Sequence, residues 1–471
     1  MDLLLSARLV NRYAIDMAVI ARNLASPKQR FTGRPFASQG ADFLALILGL
    51  TTSFTVRVVG DLPIAELILI PMLPMMAVIH GKRGLRPILR TIMVLLGLWL
   101  FGQILTDIYR NVPAQKWMRG DAAIVFFAMD IMGLAILLSH NQRRKVLFFV
   151  GFAVGSILLT RFLPSEFALS YPWKFGYANG TITLVVLASS YFYSRRLYAI
   201  AALLIAGVAV VNLLENYRGP VLGLLVAIAL VFPVVPERLG RTRILPRAGT
   251  TMRVVVLAGL AIGAGWLAAS LVSYVTSAGI IGKEAQAKNE NQSKAGLLLG
   301  GRPEILVSAR AVADSPILGH GSWAQDYKYV EMLYDMETEY DIDIDLQELE
   351  QAAGGLIPSH SHLMAAWVWA GILGAVFWTC IFWLILKAIV WVSITRPPLA
   401  PFYAWMFASI LWDILFSPFA LTRRLTEGIM LVIAVDILET APRVARVLER
   451  SHRRPWKRIP VRDFLPPSPR K

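Results

Sequence analysis

Runs of about 20 apolar residues, each closed by charge, recur along most of this chain, and that length is what an α-helix needs to cross the hydrocarbon core of a bilayer. They fall near 42–59, 62–79, 91–109, 121–139, 145–163, 177–193, 197–214, 219–236, 253–277, 361–390, 399–417 and 427–441, which predicts about twelve spans. Hydrophobic residues make up 56% of the 471, charged ones 17%, and the mean hydropathy is +0.57. That is more apolar surface than a soluble core of this length buries, so the surplus must face lipid. The expected architecture is an all-α integral membrane protein. Residues 1–40 read as a partly amphipathic lead-in, 41–277 as nine spans, 278–360 as one large loop, 361–441 as three spans and 442–471 as a basic tail. The lead-in carries Arg22, Lys28, Arg30 and Arg34. It has no apolar stretch followed by a small-residue cleavage site, so no removed signal peptide is expected.

Counting Lys and Arg in alternate loops orients the chain. His80 to Arg90, Arg143-Arg144-Lys145, Arg195-Arg196, Arg238 to Arg253, Lys387 to Arg396 and the tail from Arg443 form the basic set, which predicts that they and both termini are cytoplasmic. The net charge of +16 therefore reads as topology signal and headgroup neutralisation, with membrane lipid as partner and no nucleic acid. The complementary set holds Glu215-Asn216-Tyr217-Arg218, the loop at 278–360, and Leu421-Thr422-Arg423-Arg424.

Cations on that outer side run against the bias. Arg218 opens a span before Gly219-Pro220, Arg302 follows Gly300-Gly301, and Arg423-Arg424 precede the last span. Each alone is equally explained by pairing with lipid phosphate or a nearby carboxylate. Together they point to an anion site, because guanidinium forks grip phosphate oxygens bidentately in poorly hydrated places. The anion natural at that depth is a lipid-linked diphosphate.

Six histidines and one cysteine are the other scarce groups. His80 and His140 fall in basic loops, His452 in the tail and His320 in the long loop, leaving His360 and His362 where that loop re-enters the membrane. An imidazole at a water–lipid boundary titrates near neutrality; the plain alternative is a ring satisfied by a backbone carbonyl at a helix start. Residues two apart do not share a helical face and no third ligand is close, so no metal site is expected. Cys380, inside an apolar run, is expected to be packing.

These residues carry a resemblance. Gly301-Arg302, Ala309-Arg310-Ala311 and Ser315-Pro-Ile-Leu-Gly319-His-Gly321 resemble the long periplasmic loop of the O-antigen ligase and polysaccharide polymerase superfamily. Pro358-Ser-His360-Ser361-His362, with Gly371-Ile-Leu-Gly374 eleven residues after His360, is similar to that family's histidine–asparagine turn leading into a Gly-x-x-Gly helix. Asn216-Tyr217-Arg218-Gly219 resembles its serine–arginine–glycine segment. The resemblance covers roughly residues 200 to 440, and departs from the family at Ser361, where asparagine is usual, and at His362, an added imidazole that rivals His360.

The resemblance implies a fold akin to the C-type membrane glycosyltransferases in a bacterial inner membrane. The donor would be an undecaprenyl-diphosphate-linked saccharide, the acceptor a glycan or lipid-linked glycan, and transfer would occur at the periplasmic face without metal, nucleotide sugar or cofactor. In that scheme Arg218 and Arg302 stabilise the departing diphosphate, with Arg423 and Arg424 beside it. His360, or its rival His362, accepts the proton of the attacking hydroxyl, a contribution of about 10²–10⁴-fold. Inversion follows from single displacement. A polymerase of repeat units and a ligase onto lipopolysaccharide core share this chemistry, and polymerase is the preferred expectation. A transporter of lipid-linked saccharide would instead place its charges near the midplane of broken helices.

Two other signals read as structure. Asp341-Ile-Asp343-Ile-Asp345, continued by Glu348 and Glu350, has the Asp-x-Asp look of a metal site. It fails the calcium-loop pattern, since Leu346 stands where glycine is required, so a solvated acidic face or a patch guiding loop closure is expected. Trp117, Trp173, Trp367 and Trp369 are interfacial anchors or core, with stacking on sugar rings open to those near the loop.

Overall fold

In lipid a chain satisfies its backbone only through its own helical hydrogen bonds, and the apolar runs fold accordingly. The computed structural model describes residues 36–57, 61–232, 259, 303–339, 354–420 and 423–453. The chain divides into two units, Met1–Leu44 and Ala45–Lys471. The described part of the first is the opening of helix α1 (Phe36–Thr51); everything below belongs to the second. The expected span 253–277 apart from residue 259, the part of the loop with the Asp-x-Asp stretch, and Arg302 lie outside the described residues.

Among the described residues five helices are long and apolar enough to cross a membrane: Ile64–Gly81, Pro87–Tyr109, Ala114–Leu138, Gln142–Phe162 and Ile372–Thr395. Shorter apolar helices cover Gln39–Thr51, Tyr198–Leu214, Arg218–Val231 and Ala400–Phe416. The described chain is thus that of an all-α membrane protein, with one small hairpin. The hairpin corrects the first expected span, which was drawn to residue 59. Helix α1 stops at Thr51, and β1 (Thr55–Arg57) pairs antiparallel with β2 (Asp61–Pro63), as the β-branched residues there favour.

The second span is bent. Helix α2 (Ile64–Leu69) passes through a single 3₁₀ turn, Ile70–Met72, into α3 (Leu73–Arg83). Pro71 and Pro74 sit in first turns, where a missing N–H costs no helical bond. Then follow α4 (Pro87–Tyr109), α5 (Ala114–Leu138), α6 (Gln142–Phe162) and the short α7 (Glu166–Ser170). A π turn at Trp173–Tyr177 leads into α8 (Ala178–Ser194), α9 (Tyr198–Leu214) and α10 (Arg218–Val231). The loop contributes α11 (Glu304–Asp314) and α12 (Tyr327–Glu339).

The expected single span at 361–390 is two helices, α13 (His362–Ala370) and α14 (Ile372–Thr395), broken at Gly371. Helix α15 (Ala400–Phe416) follows, and α16 (Arg424–Arg453) runs past the end at 441 drawn from hydropathy. The expected assignment of Cys380 to packing is also corrected, because the thiol is exposed on the outer side of α14.

The core joins α4, α5 and α14 through aromatic rings: Trp99 stacks on Phe377 at 5.0 Å and Phe127 on Trp378 at 6.1 Å, with Phe419 against all but Phe377. Midway along α16, Asp436 accepts from Arg86 at 2.6 Å, from the His140 amide at 2.8 Å and from Lys145, tying it to three other helices' ends. Helices α11 and α12 bury Val307, Ala311, Tyr329 and Leu333 against Ile357 and Val368 of the re-entering chain, so the loop shares a core with the bundle.

Candidate functional site

The last turns of α15, from Trp412 to Ser417, gather segments that lie far apart in sequence. Helix α10 runs antiparallel along α15, with Gly219 facing Trp412 and Gly223 facing Ser409 and Trp405. This brings Arg218, the first residue of α10, to the end of α15. Its Nε donates to Asn216 Oδ1 at 3.1 Å, and Asn216 takes a left-handed conformation at φ 51° that asparagine tolerates better than most residues. From the other side Arg423 pairs with Asp413. The re-entering turn then closes on the same place: Ser361 Oγ donates to Ile414 O at 2.8 Å and accepts from the Met364 amide at 3.1 Å, capping α13.

That cap sets the two histidines in different worlds. His362 is fully buried, its Nδ1 2.6 Å from Ser417 O and its Nε2 2.7 Å from Glu427 Oε1, with Trp378 and Phe419 edge-on to the ring. Both nitrogens face acceptors, so neither is disposed to take a proton from a substrate. His360 keeps 19% of its side chain exposed and places Nδ1 3.2 Å from Oε1 of Glu304, which is 3% exposed.

The loop segment Ser315–Gly321 is moulded onto the break at Gly371. Ile372 N donates to Ile317 O at 3.1 Å, His320 N to Val368 O at 2.6 Å and Gly321 N to Trp369 O at 3.1 Å. A Cβ on Gly371, which has φ +63°, would stand 1.9 Å from Ile317 O; only glycine allows this approach. The end of α4 completes the dock. Arg110 donates to Gly319 O at 3.1 and 2.9 Å, Thr106 to Leu318 O, and Asp107 accepts from Ser322 N at 2.6 Å and from its hydroxyl. His320 is satisfied by Ala311 O at 2.8 Å.

No protein-family model matches this chain, and no curated protein matches it. The site therefore stands on its own geometry. Of the residues expected from sequence, Arg218, Arg423 and the turn that holds His360 are each brought to the last turns of α15. Arg424 does not join them, which corrects the expectation that it binds diphosphate: its fork is spent on Glu66, Nε to Oε1 at 2.9 Å and Nη2 to Oε2 at 2.7 Å, with both side chains buried. Adjacent residues on a helix point about 100° apart, so one arginine faces the site and the next faces the bundle.

Three acids were passed over in the sequence: Asp413, Glu427 and Glu304. The first two interrupt apolar runs, and an ionisable group in such a run is itself a signal of a partner within the bundle. Glu304 carried no such signal, being an acid beside a helix start where acids are ordinary.

Proposed function

We propose that the protein is a membrane glycosyltransferase that joins undecaprenyl-diphosphate-linked saccharide repeat units into a cell-surface polysaccharide. The observation that carries the reading is the gathering of Arg218, Arg423 and the His360 turn on the last turns of α15, two guanidiniums, one of them paired with Asp413, with one partly exposed imidazole in the adjoining turn. The order of these segments resembles the O-antigen ligase and polymerase superfamily. Ser361 fits the resemblance despite replacing asparagine, because it serves as the N-cap of α13, a position that serine and asparagine fill about equally well.

In this reading the chain spans the inner membrane about twelve times with both termini cytoplasmic, and the site faces the periplasm beneath the loop. The acceptor hydroxyl attacks the anomeric carbon of the donor as the bond to the diphosphate oxygen breaks, and the configuration inverts. The proton of the hydroxyl passes to Nε2 of His360, while Arg218, Arg302 and Arg423 take up the charge that grows on the diphosphate. Ser315–Gly321, docked on α4 and α13, is a fixed segment of the loop next to the re-entering turn, which supplies orientation.

The test is purified protein with a polyprenyl-diphosphate oligosaccharide and chelator, with and without lipopolysaccharide core. A ladder of longer lipid-linked glycans in the absence of core, lost in His360→Ala and Arg218→Ala variants that remain folded, is expected. Transfer onto core alone would make the protein a ligase, and donor binding with no new glycosidic bond would turn the reading to a transporter.

A further inference from the structure

We propose that Glu304 is a positioning residue for His360, its carboxylate accepting the Nδ1 proton and holding the basic lone pair on Nε2. This rests on the glycosyl-transfer reading and deepens it. The contact itself is direct, Nδ1 to Oε1 at 3.2 Å, and the pair is graded in depth: Glu304 is 3% exposed and His360 19%, so the carboxylate stands behind the ring. A carboxylate is seldom taken out of water without a donor aimed at it. Among the described residues Oε1 is paired with the His360 ring, and Oε2 has no hydrogen-bond partner. Glu304 is also held firmly. It opens α11, whose Val307 and Ala311 are locked to Val368 of α13, and the N-terminal turn of a helix favours a carboxylate.

A neutral imidazole has one N–H. With Nδ1–H given to Glu304, Nε2 carries the lone pair that takes the proton of the attacking hydroxyl, and the imidazolium so formed lies against a fixed negative charge. The proton remains on the ring until it leaves with product or water. Other charged groups on the elements meeting this turn are Arg218 at the start of α10, Asp413 on α15, Arg423 just ahead of α16, and Glu427, which is already engaged by His362.

The experiment uses the full chain in lipid nanodiscs with histidine-selective isotope labels, the His360 ring signal being the one lost in His360→Ala. In Glu304→Gln the His360 titration is expected to move to lower pH, because the charge that favours the imidazolium is gone. With it kcat for transfer should fall by about 10²-fold, the low end of what a general base contributes, with donor KM unchanged and the acid limb of the rate profile displaced the same way. Glu304→Asp should recover part of both effects, and Glu304→Gln added to His360→Ala should cost nothing further. An unmoved titration in Glu304→Gln, or full additivity in the double variant, would overturn the proposal. Should Glu304→Gln fail to fold, an unmoved His360 titration in Glu304→Asp would overturn it equally. If even the unaltered protein forms no glycosidic bond, the transfer reading fails while the titration still decides the pairing.

Discussion

An imidazole whose two nitrogens both face acceptors belongs to the structure around it, and His362 is such a ring, set between Ser417 O and Glu427 Oε1. Removing it leaves the buried Glu427 carboxylate without its partner, a loss of about 3–5 kcal/mol. His362→Ala is therefore expected to lower the midpoint of thermal unfolding sharply in detergent, and His362→Ala with Glu427→Leu to recover much of it. His360→Ala should lower it less, because the ring is 19% exposed and water can take its place beside Glu304. Unfolding followed by tryptophan fluorescence separates the two, and equal destabilisation by both would remove the distinction. The sequence could not make it. Two residues apart in a turn, the histidines have the same neighbours in the chain, and what separates them is Ser361, whose hydroxyl reaches Ile414 fifty-three residues away. Arg423 and Arg424 present the same ambiguity, and again it is resolved by partners distant in sequence, Asp413 and Glu66.

Elements were legible where hydropathy is uninterrupted and obscure where a close contact bends the chain. The interiors of α4, α5, α6 and α14 follow from apolar length alone. The break at Gly371 does not, because the residues on either side are equally apolar; it is imposed by the carbonyl of Ile317 pressing where a Cβ would stand. Gly371→Ala would place an L side chain at positive φ and against that carbonyl, costing about 1–3 kcal/mol of local strain. The expected readout is release of the loop, seen as faster proteolysis between residues 303 and 339 with the spans intact; unchanged cleavage would show that the dock holds without this glycine. The loop also carries its own pH response. Hydrogen bonds from Lys328 and Tyr329 hold the Asp314 carboxyl below its ordinary value of 3.8. A depressed carboxylate stabilises the fold above its unfolded value and loses that contribution as pH falls through the folded one. The junction of α11 and α12 should thus loosen only below about pH 4. Asp314→Asn should remove the acid-dependent step in amide exchange of α12, and its survival in that variant would assign it elsewhere.

At the scale of the whole molecule the apolar surface is the governing fact. Phe101 on α4, Val125 on α5, Leu203 on α9 and Trp383 on α14 are exposed, an arrangement that water would penalise and lipid accepts. Which end of the bundle faces which compartment rests on charge alone. The first turn of α6 holds Arg143, Arg144 and Lys145, whereas α12 lies in the loop assigned to the opposite side, and the positive-inside bias orients spans by such short basic clusters at their ends. Cys380 is the chain's one cysteine, so Cys380→Ser provides a background in which single reporters can be placed. In that background Asp335→Cys, exposed on α12, should react in intact spheroplasts with a thiol reagent that does not cross the membrane. Gln142→Cys, exposed at the start of α6, should react only once the membrane is opened. The reverse pattern would put Arg218, His360 and Arg423 on the cytoplasmic face, where a nucleotide-sugar donor is at hand and the case for a lipid-linked donor would fall with the orientation.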